Sequence, residues 1–429
     1  MLIMIVLFEI SLRLFYPQKI YDDCYEYSYK NLSNLEVELD SHLGWKLISN
    51  YSGCRYQPDT NKIITKTHNS NGLRIDKDIP YEKGSKKRVL LLGDSFVYGY
   101  GLDDDETIAV KLQENLGDNY EIINFGVDGY GTGQELLQFM EDGLKYHPDI
   151  VLLFFYPNDF TESQMNNFYF GDNPRMLLKG NIIASSPEEK EILIRDSLKN
   201  GTAKFLRDVI SPTTYNINNL SDESIFLYNY PTEMIWNDGY GPNKKPLFLN
   251  KQISSLFLKY SHLYSLIYHK LSKIDFPAKK IKYSNRITDG IDILYEKKSM
   301  GNNDPTLAMF LIIKLFGEFE RKSTTENYKF IVVGIPEKRG VSLEYQKKFL
   351  NLYLDVNLDD FDFKKIDKIF NEELTNERLI SSVDYISLYD LADSNFDEFY
   401  FKTDGHWNPN GVKLSADYIT KELKKRKII

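Results

Sequence analysis

Four short, mostly apolar runs punctuate the chain at 89–92, 121–125, 150–156 and 330–335, and a weaker fifth follows at 384–388. None alternates apolar with polar positions, the pattern of strands buried on both faces of a parallel sheet. Between them the apolar spacing shifts to that of helices, over 107–116, 133–145, 306–322 and 409–427. The last carries its own start signal. Asn408 can cap the exposed amides, and Pro409 suits a first helical position, where no N–H is needed. This rhythm predicts an α/β fold, a three-layer α/β/α sandwich built on a mainly parallel five-stranded sheet.

The rhythm stops over 161–300, which reads as an insertion subdomain between the third and fourth core strands. Apolar residues at helical spacing over 254–271 predict a packed amphipathic helix there, and Tyr228, Tyr230, Trp236 and Tyr240 suit either sugar stacking or ordinary packing. The core is thus expected at 86–160 and 301–429. Ahead of it, residues 21–85 form an accessory segment, in which Asn71-Gly72 marks a turn and Gly44-Trp45 stands out without a chemical reading. Both a lid and a brace fit it. The first sixteen residues are almost all apolar, interrupted by Glu9 and Arg13 at a spacing that lets them pair. As a helix they reach roughly 24 Å, short of a full bilayer span. The expectation is an N-terminal hydrophobic anchor over 1–20 and a membrane-associated, extracytoplasmic protein, with a core helix and a cytoplasmic protein as the alternative.

Composition narrows the function classes. A net charge of -9 without a dense Lys/Arg stripe excludes a nucleic-acid partner, because phosphate binding needs clustered cations. Cys24 and Cys54 lack metal-ligand spacing, so no metal site is expected, and they fit one disulfide or two thiols equally well.

Candidate chemistry collects at strand ends, where open parallel sheets bind ligands. Gly93-Asp94-Ser95-Phe96 follows the first strand, Asn124-Phe-Gly-Val-Asp-Gly129 the second and Asn158-Asp159 the third. Asp404-Gly-His406-Trp407 precedes the last helix. In this order the segments resemble the blocks of the SGNH (GDSL-type) hydrolase family, with Phe96 where the family name has leucine and Pro157 where a glycine commonly stands. The two-residue spacing of Asp404 and His406 is similar to the Asp-x-His-Trp arrangement of alginate-acetylation-type SGNH proteins. The resemblance covers 86–159 and 328–427. It implies a flavodoxin-like sheet, a catalytic set of Ser95, Asp404 and His406, and an oxyanion hole from Ser95, Gly129 and Asn158. Gly129 is preferred to Gly126 for its distance from Asn124. The neighbouring Tyr130, Asp159 and Trp407 become candidate substrate contacts.

These roles follow from charge flow in acyl transfer. An imidazole accepts the serine proton, a carboxylate orients the ring, and amide donors meet the oxyanion. No cofactor is required. The expected partner is an O-acylated carbohydrate or another acyl ester, handled by a hydrolase or an O-acetyltransferase acting on polysaccharide acetyl groups. The alternatives are a lipid or thioester hydrolase and a non-catalytic polysaccharide- or envelope-protein-binding module on the same scaffold.

Overall fold

The computed structural model describes residues 2–15; 36–159 without 41, 42 and 58; the short strands 176–179, 214–215 and 226–229; residue 295; and 305–429 without 352, 355 and 375–382. Within these, the chain opens on helix α1 (Leu2–Phe15), followed by strands β1 (Val37–Asp40), β2 (Gly44–Leu47), β3 (Ser52–Gln57), β4 (Lys62–Thr67) and β5 (Lys87–Leu92). Next come α2 (Ser95–Tyr98), α3 (Ile108–Leu116), β6 (Tyr120–Asn124), α4 (Thr132–Glu141) and β7 (Ile150–Phe155). Three short strands, β8 (Met176–Lys179), β9 (Thr214–Tyr215) and β10 (Phe226–Asn229), pair antiparallel with one another. The chain continues through α5 (Pro305–Glu326), β11 (Lys329–Gly334), α6 (Lys338–Val341), α7 (Leu343–Leu350) and α8 (Lys365–Glu373). It finishes with β12 (Asp384–Ser387), α9 (Tyr389–Ser394), α10 (Phe396–Phe399) and α11 (Pro409–Lys425).

The central sheet has five strands in the order β12-β11-β7-β5-β6, all parallel. In chain order of the sheet strands that is 2-1-3-4-5, the flavodoxin-like order whose switch point lies between β5 and β7. Every residue of β7 is buried, as its unbroken Ile-Val-Leu-Leu-Phe-Phe run requires. Alternate residues feed two cores. Leu90 and Leu92 face one layer, with Phe139 of α4, Phe316 of α5 and Phe370 of α8. Val89 and Leu91 face the other, with Leu112 of α3 and Val412, Ala416 and Ile419 of α11. Asn408 accepts from the amides of Asn410 and Gly411 at 2.9 and 3.0 Å, which fixes where α11 begins and holds the loop before it.

Among the described residues the accessory segment holds two antiparallel hairpins, β1–β2 and β3–β4, bound to the core through Val37, Trp45 and Leu47. The expected helix at 133–145 divides. α4 stops at Glu141 and a 3-10 turn covers Gly143–Tyr146, closed by His147 in the left-handed region at φ 49°. Cys54 in β3 is disulfide-bonded; the chain's other cysteine, Cys24, lies outside the described residues. So do the expected helix at 254–271 and the side chains of Tyr228, Tyr230, Trp236 and Tyr240. Tyr295, inside the expected insertion, is fully buried in the core and donates to Glu337 at 3.0 Å. Among the described residues no helix is long and apolar enough to cross a membrane.

Candidate active site

The turn out of β5 puts Ser95 at the first position of α2. Asp94 caps this short helix by accepting from the Phe96 amide at 2.9 Å. The loop from Tyr400 to Trp407 comes back to the same rim, pinned by the bridge between those two residues. It brings His406 Nε2 to 2.7 Å from Ser95 Oγ, 311 residues away in sequence. On the far side of the ring, His406 Nδ1 meets Asp404 Oδ1 at 2.5 Å, and that same oxygen accepts from the His406 amide at 2.8 Å. A carboxylate can only accept, so Nδ1 carries the proton and Nε2 faces the serine as an acceptor. The imidazole lies between Tyr100, stacked at 4.5 Å and 27°, and Phe96 at 4.7 Å. Phenylalanine at position 96 therefore acts as one wall of the histidine slot, and Tyr156 and Trp407 pack against it from behind.

Electrostatics follow from this packing. Desolvation works against a charged His406, but the Asp404 carboxylate, its hydrogen bond, and then Asp94 and Asp128 outweigh it and raise the imidazole above its ordinary value. Burial also acts on Asp404, yet the His406 charge and hydrogen bonds bring its carboxyl down to about 2. It stays ionised across any working pH. Burial raises Asp94, and burial followed by Glu36 pushes Asp128 up to about 6.

The second and third strand ends supply the remaining candidates. Gly129 is buried with φ at 76°, a left-handed conformation that glycine tolerates without strain. Gly126 does something else. A Cβ there would lie 2.2 Å from the Tyr98 amide nitrogen, so this glycine lets the end of β6 press against α2. Asn124, fully buried, reinforces the same contact through Val97 O at 3.1 Å. Asn158, half-buried, donates to Asp94 Oδ2 at 3.1 Å, which ties it to the turn that carries Ser95. Asp94 thus caps α2 and orients Asn158. An aspartate just before a candidate serine was the sequence signal for that double duty.

Three expected substrate contacts are corrected. Tyr130, Asp159 and Trp407 are each 0% exposed and offer a ligand no surface. Tyr130 donates to the Trp45 carbonyl, Asp159 accepts from Thr132 and from the Tyr156 amide, and Trp407 packs edge-on to Phe96 and Phe154. Their polar or aromatic character serves the frame beneath the site. Among the described residues, no three His, Cys, Asp or Glu side chains gather as a metal-ligating group.

Sequence reasoning left the accessory segment open between a lid and a brace. Trp45 donates to the Asp128 carbonyl at 3.2 Å and holds the Gly129 loop. Buried Arg74 donates to the carbonyls of Tyr98 and Gly99 at 2.9 and 2.6 Å, directly behind α2, and to Leu102 at 2.7 Å. Beside it lie His68, bonded to the Tyr98 hydroxyl at 3.1 Å, and the buried pair of Lys66 and Glu36 at 2.6 Å. The segment is a brace.

Comparison with known proteins places these features in context. Residues 91–197 match the model of the GDSL-like Lipase/Acylhydrolase family. No curated protein matches the chain. Similar solved structures include TesA, at 23% identity over 19% of this chain and 46% of that one, with a TM-score of 0.17. Others are an acetyl xylan esterase, AlAXEase, at 14% identity over 78% and 99%, TM-score 0.34, and a carbohydrate acetylesterase family member from Sinorhizobium meliloti at 10% over 79% and 98%, TM-score 0.30. The match to TesA thus spans less than half of that protein's length.

Proposed function

From a chain that carries a GDSL-like lipase/acylhydrolase domain, we propose a serine-dependent acyl-ester hydrolase working through an acyl-enzyme on Ser95. The observation that carries this reading is the continuous hydrogen-bonded line from Ser95 through His406 to Asp404 at the carboxyl rim of the sheet. Ser95 Oγ attacks the ester carbonyl carbon as its proton passes to His406 Nε2. The carbonyl oxygen takes up the electron pair as an oxyanion. Collapse of this intermediate breaks the bond to the alcohol oxygen, which leaves with the proton from His406. Water repeats the sequence on the acyl-enzyme and releases the acid. Asp404 steadies the imidazolium without taking its proton, in keeping with a carboxyl held at about 2. The Ser95 and Gly129 amides and the Asn158 side chain are the proposed oxyanion donors, each worth about 3 kcal/mol.

The finer reading is that the acyl group is an acetyl on a polysaccharide hydroxyl. Its support is the Asp404-x-His406-Trp407 spacing and its resemblance to polysaccharide-acetylation proteins. Water as acceptor makes the protein an esterase, and a sugar hydroxyl makes it an O-acetyltransferase. The same proposal sets it outside the cytoplasm and against a membrane. Two features support this: the disulfide at Cys54, which persists in oxidising compartments, and the apolar side chains that α1 leaves exposed, including Met4 at 74%, Leu14 at 70% and Phe15 at 82%.

A fluorophosphonate probe tests the chemistry without knowledge of the substrate. Wild type should label and Ser95→Ala should not; an unlabelled wild type would favour a binding module instead. Acetylated xylan oligosaccharide then separates the products, with free acetate marking an esterase and acetate moved to a second sugar marking a transferase.

A further inference from the structure

We infer that the β3–β4 hairpin belongs to the catalytic apparatus, with Arg55 and Asp59 as positioning residues for the histidine and its aspartate. The inference rests on the acyl-transfer reading above. Two independent contacts carry it. In the turn of the hairpin, Asp59 receives both the amide and the hydroxyl of Thr403, at 3.0 and 2.9 Å, across 344 residues of sequence. Thr403 immediately precedes Asp404, so the position of the carboxylate that orients His406 is set from a strand pair outside the α/β core. On β3, the Arg55 guanidinium lies 4.3 Å from the centroid of Tyr100 and donates to its hydroxyl. Tyr100 in turn stacks on His406, so that Arg55, Tyr100, His406 and Phe96 form one pile. Gln57 adds a bond to the Gly101 carbonyl at 3.4 Å.

Arg55, Gln57, Tyr100, Thr403 and Asp404 line a partly open pocket of about 80 Å³. That is room for several waters. The hairpin acts by fixing loops, and a positioning defect appears in turnover rather than in substrate affinity. A reacting group displaced by about 1 Å loses up to ~100-fold in rate, and release of one of several restraints should cost about tenfold.

The test uses the full chain, p-nitrophenyl acetate as substrate and the fluorophosphonate labelling rate as a second readout. Asp59→Ala should lower kcat about tenfold, leave KM within about twofold and slow labelling in proportion. Asp59→Asn, which keeps one acceptor for the Thr403 amide, should recover to within about threefold of wild type. Thr403→Val removes the hydroxyl side of the same contact at an exposed position; its effect should match in direction and should not add to that of Asp59→Ala. If Asp59→Ala does not fold, Thr403→Val and Arg55→Gln decide alone. Wild-type kcat and labelling in folded Asp59→Ala, or in Thr403→Val and Arg55→Gln together, would overturn the inference; so would a loss confined to KM. An unlabelled wild type would instead remove the acyl-transfer reading, so the two failures are separable.

Discussion

Acid should loosen this protein from the brace inward, and His68 sets the window. The ring is 2% exposed. Its Nδ1 sits 2.9 Å from the Ile48 carbonyl, which can only accept, so Nδ1 holds the proton and Nε2 accepts from the Tyr98 hydroxyl at 3.1 Å. Burial pulls its pKa from 6.5 to about 4, against the Ile48 bond and Glu36. A depressed folded value means that between pH 6.5 and 4 the unfolded chain binds the extra proton, so stability falls as pH falls through that window and is unaffected above it. At pH 4.5 the unfolded ring is almost fully protonated and the folded ring about one quarter, which amounts to about 2.5 kcal/mol. Urea unfolding of wild type and His68→Gln at pH 7.5 and 4.5 isolates this contribution, because glutamine can serve both neighbours and does not titrate. Wild type should lose about 2.5 kcal/mol more than the variant between the two pH values. Equal losses would refute the reasoning.

Other outcomes follow from the site and its supports. Asp404→Asn should lower kcat by ~10⁴-fold with little change in KM, read on p-nitrophenyl acetate, because the ring loses its tautomer and the partner of its charge. Asn158→Ala should cost about 100-fold in kcat if the amide meets the oxyanion. The acid limb of kcat/KM should lie above pH 6.5, because the general base must be neutral and Asp404 raises its pKa; a limb below 6.5 would contradict the half-buried pairing. Lys66→Met should destabilise the chain by about 3–5 kcal/mol in urea unfolding, because it leaves the Glu36 carboxylate buried without its cation.

The sheet was legible because strands covered on both faces must be apolar throughout, and β5, β6, β7, β11 and β12 lie within a residue or two of where the apolar runs put them. The meeting of Ser95, Asp404 and His406 was legible for a related reason, since a parallel sheet gathers its strand ends on one rim. β4 was not. Lys62-Ile-Ile-Thr-Lys-Thr67 buries only two of its side chains outright, one of them Lys66, and a lysine gives no hint in sequence that it will be covered. Glu36, Lys66 and Arg74 look like solvated charges until their partners, up to 30 residues distant, are seen. Trp407 failed in the opposite direction: an aromatic residue beside a candidate histidine suggested a ligand contact, whereas its size serves to fill the space under Phe96. Helices α6 to α10 escaped because most span only one or two turns, too short for a periodicity to register.

The 344-residue reach of the Asp59–Thr403 contact orders events during synthesis. Ser95 leaves the ribosome early, with its helix cap and much of its brace available, but the base and the second half of the clamp follow more than three hundred residues later. At about 5–20 residues per second that interval is on the order of half a minute. Throughout it the nascent chain carries a serine with no imidazole beside it, so on the proposed acyl-transfer reading the hydroxyl becomes reactive only when the C-terminal loop closes on the hairpin.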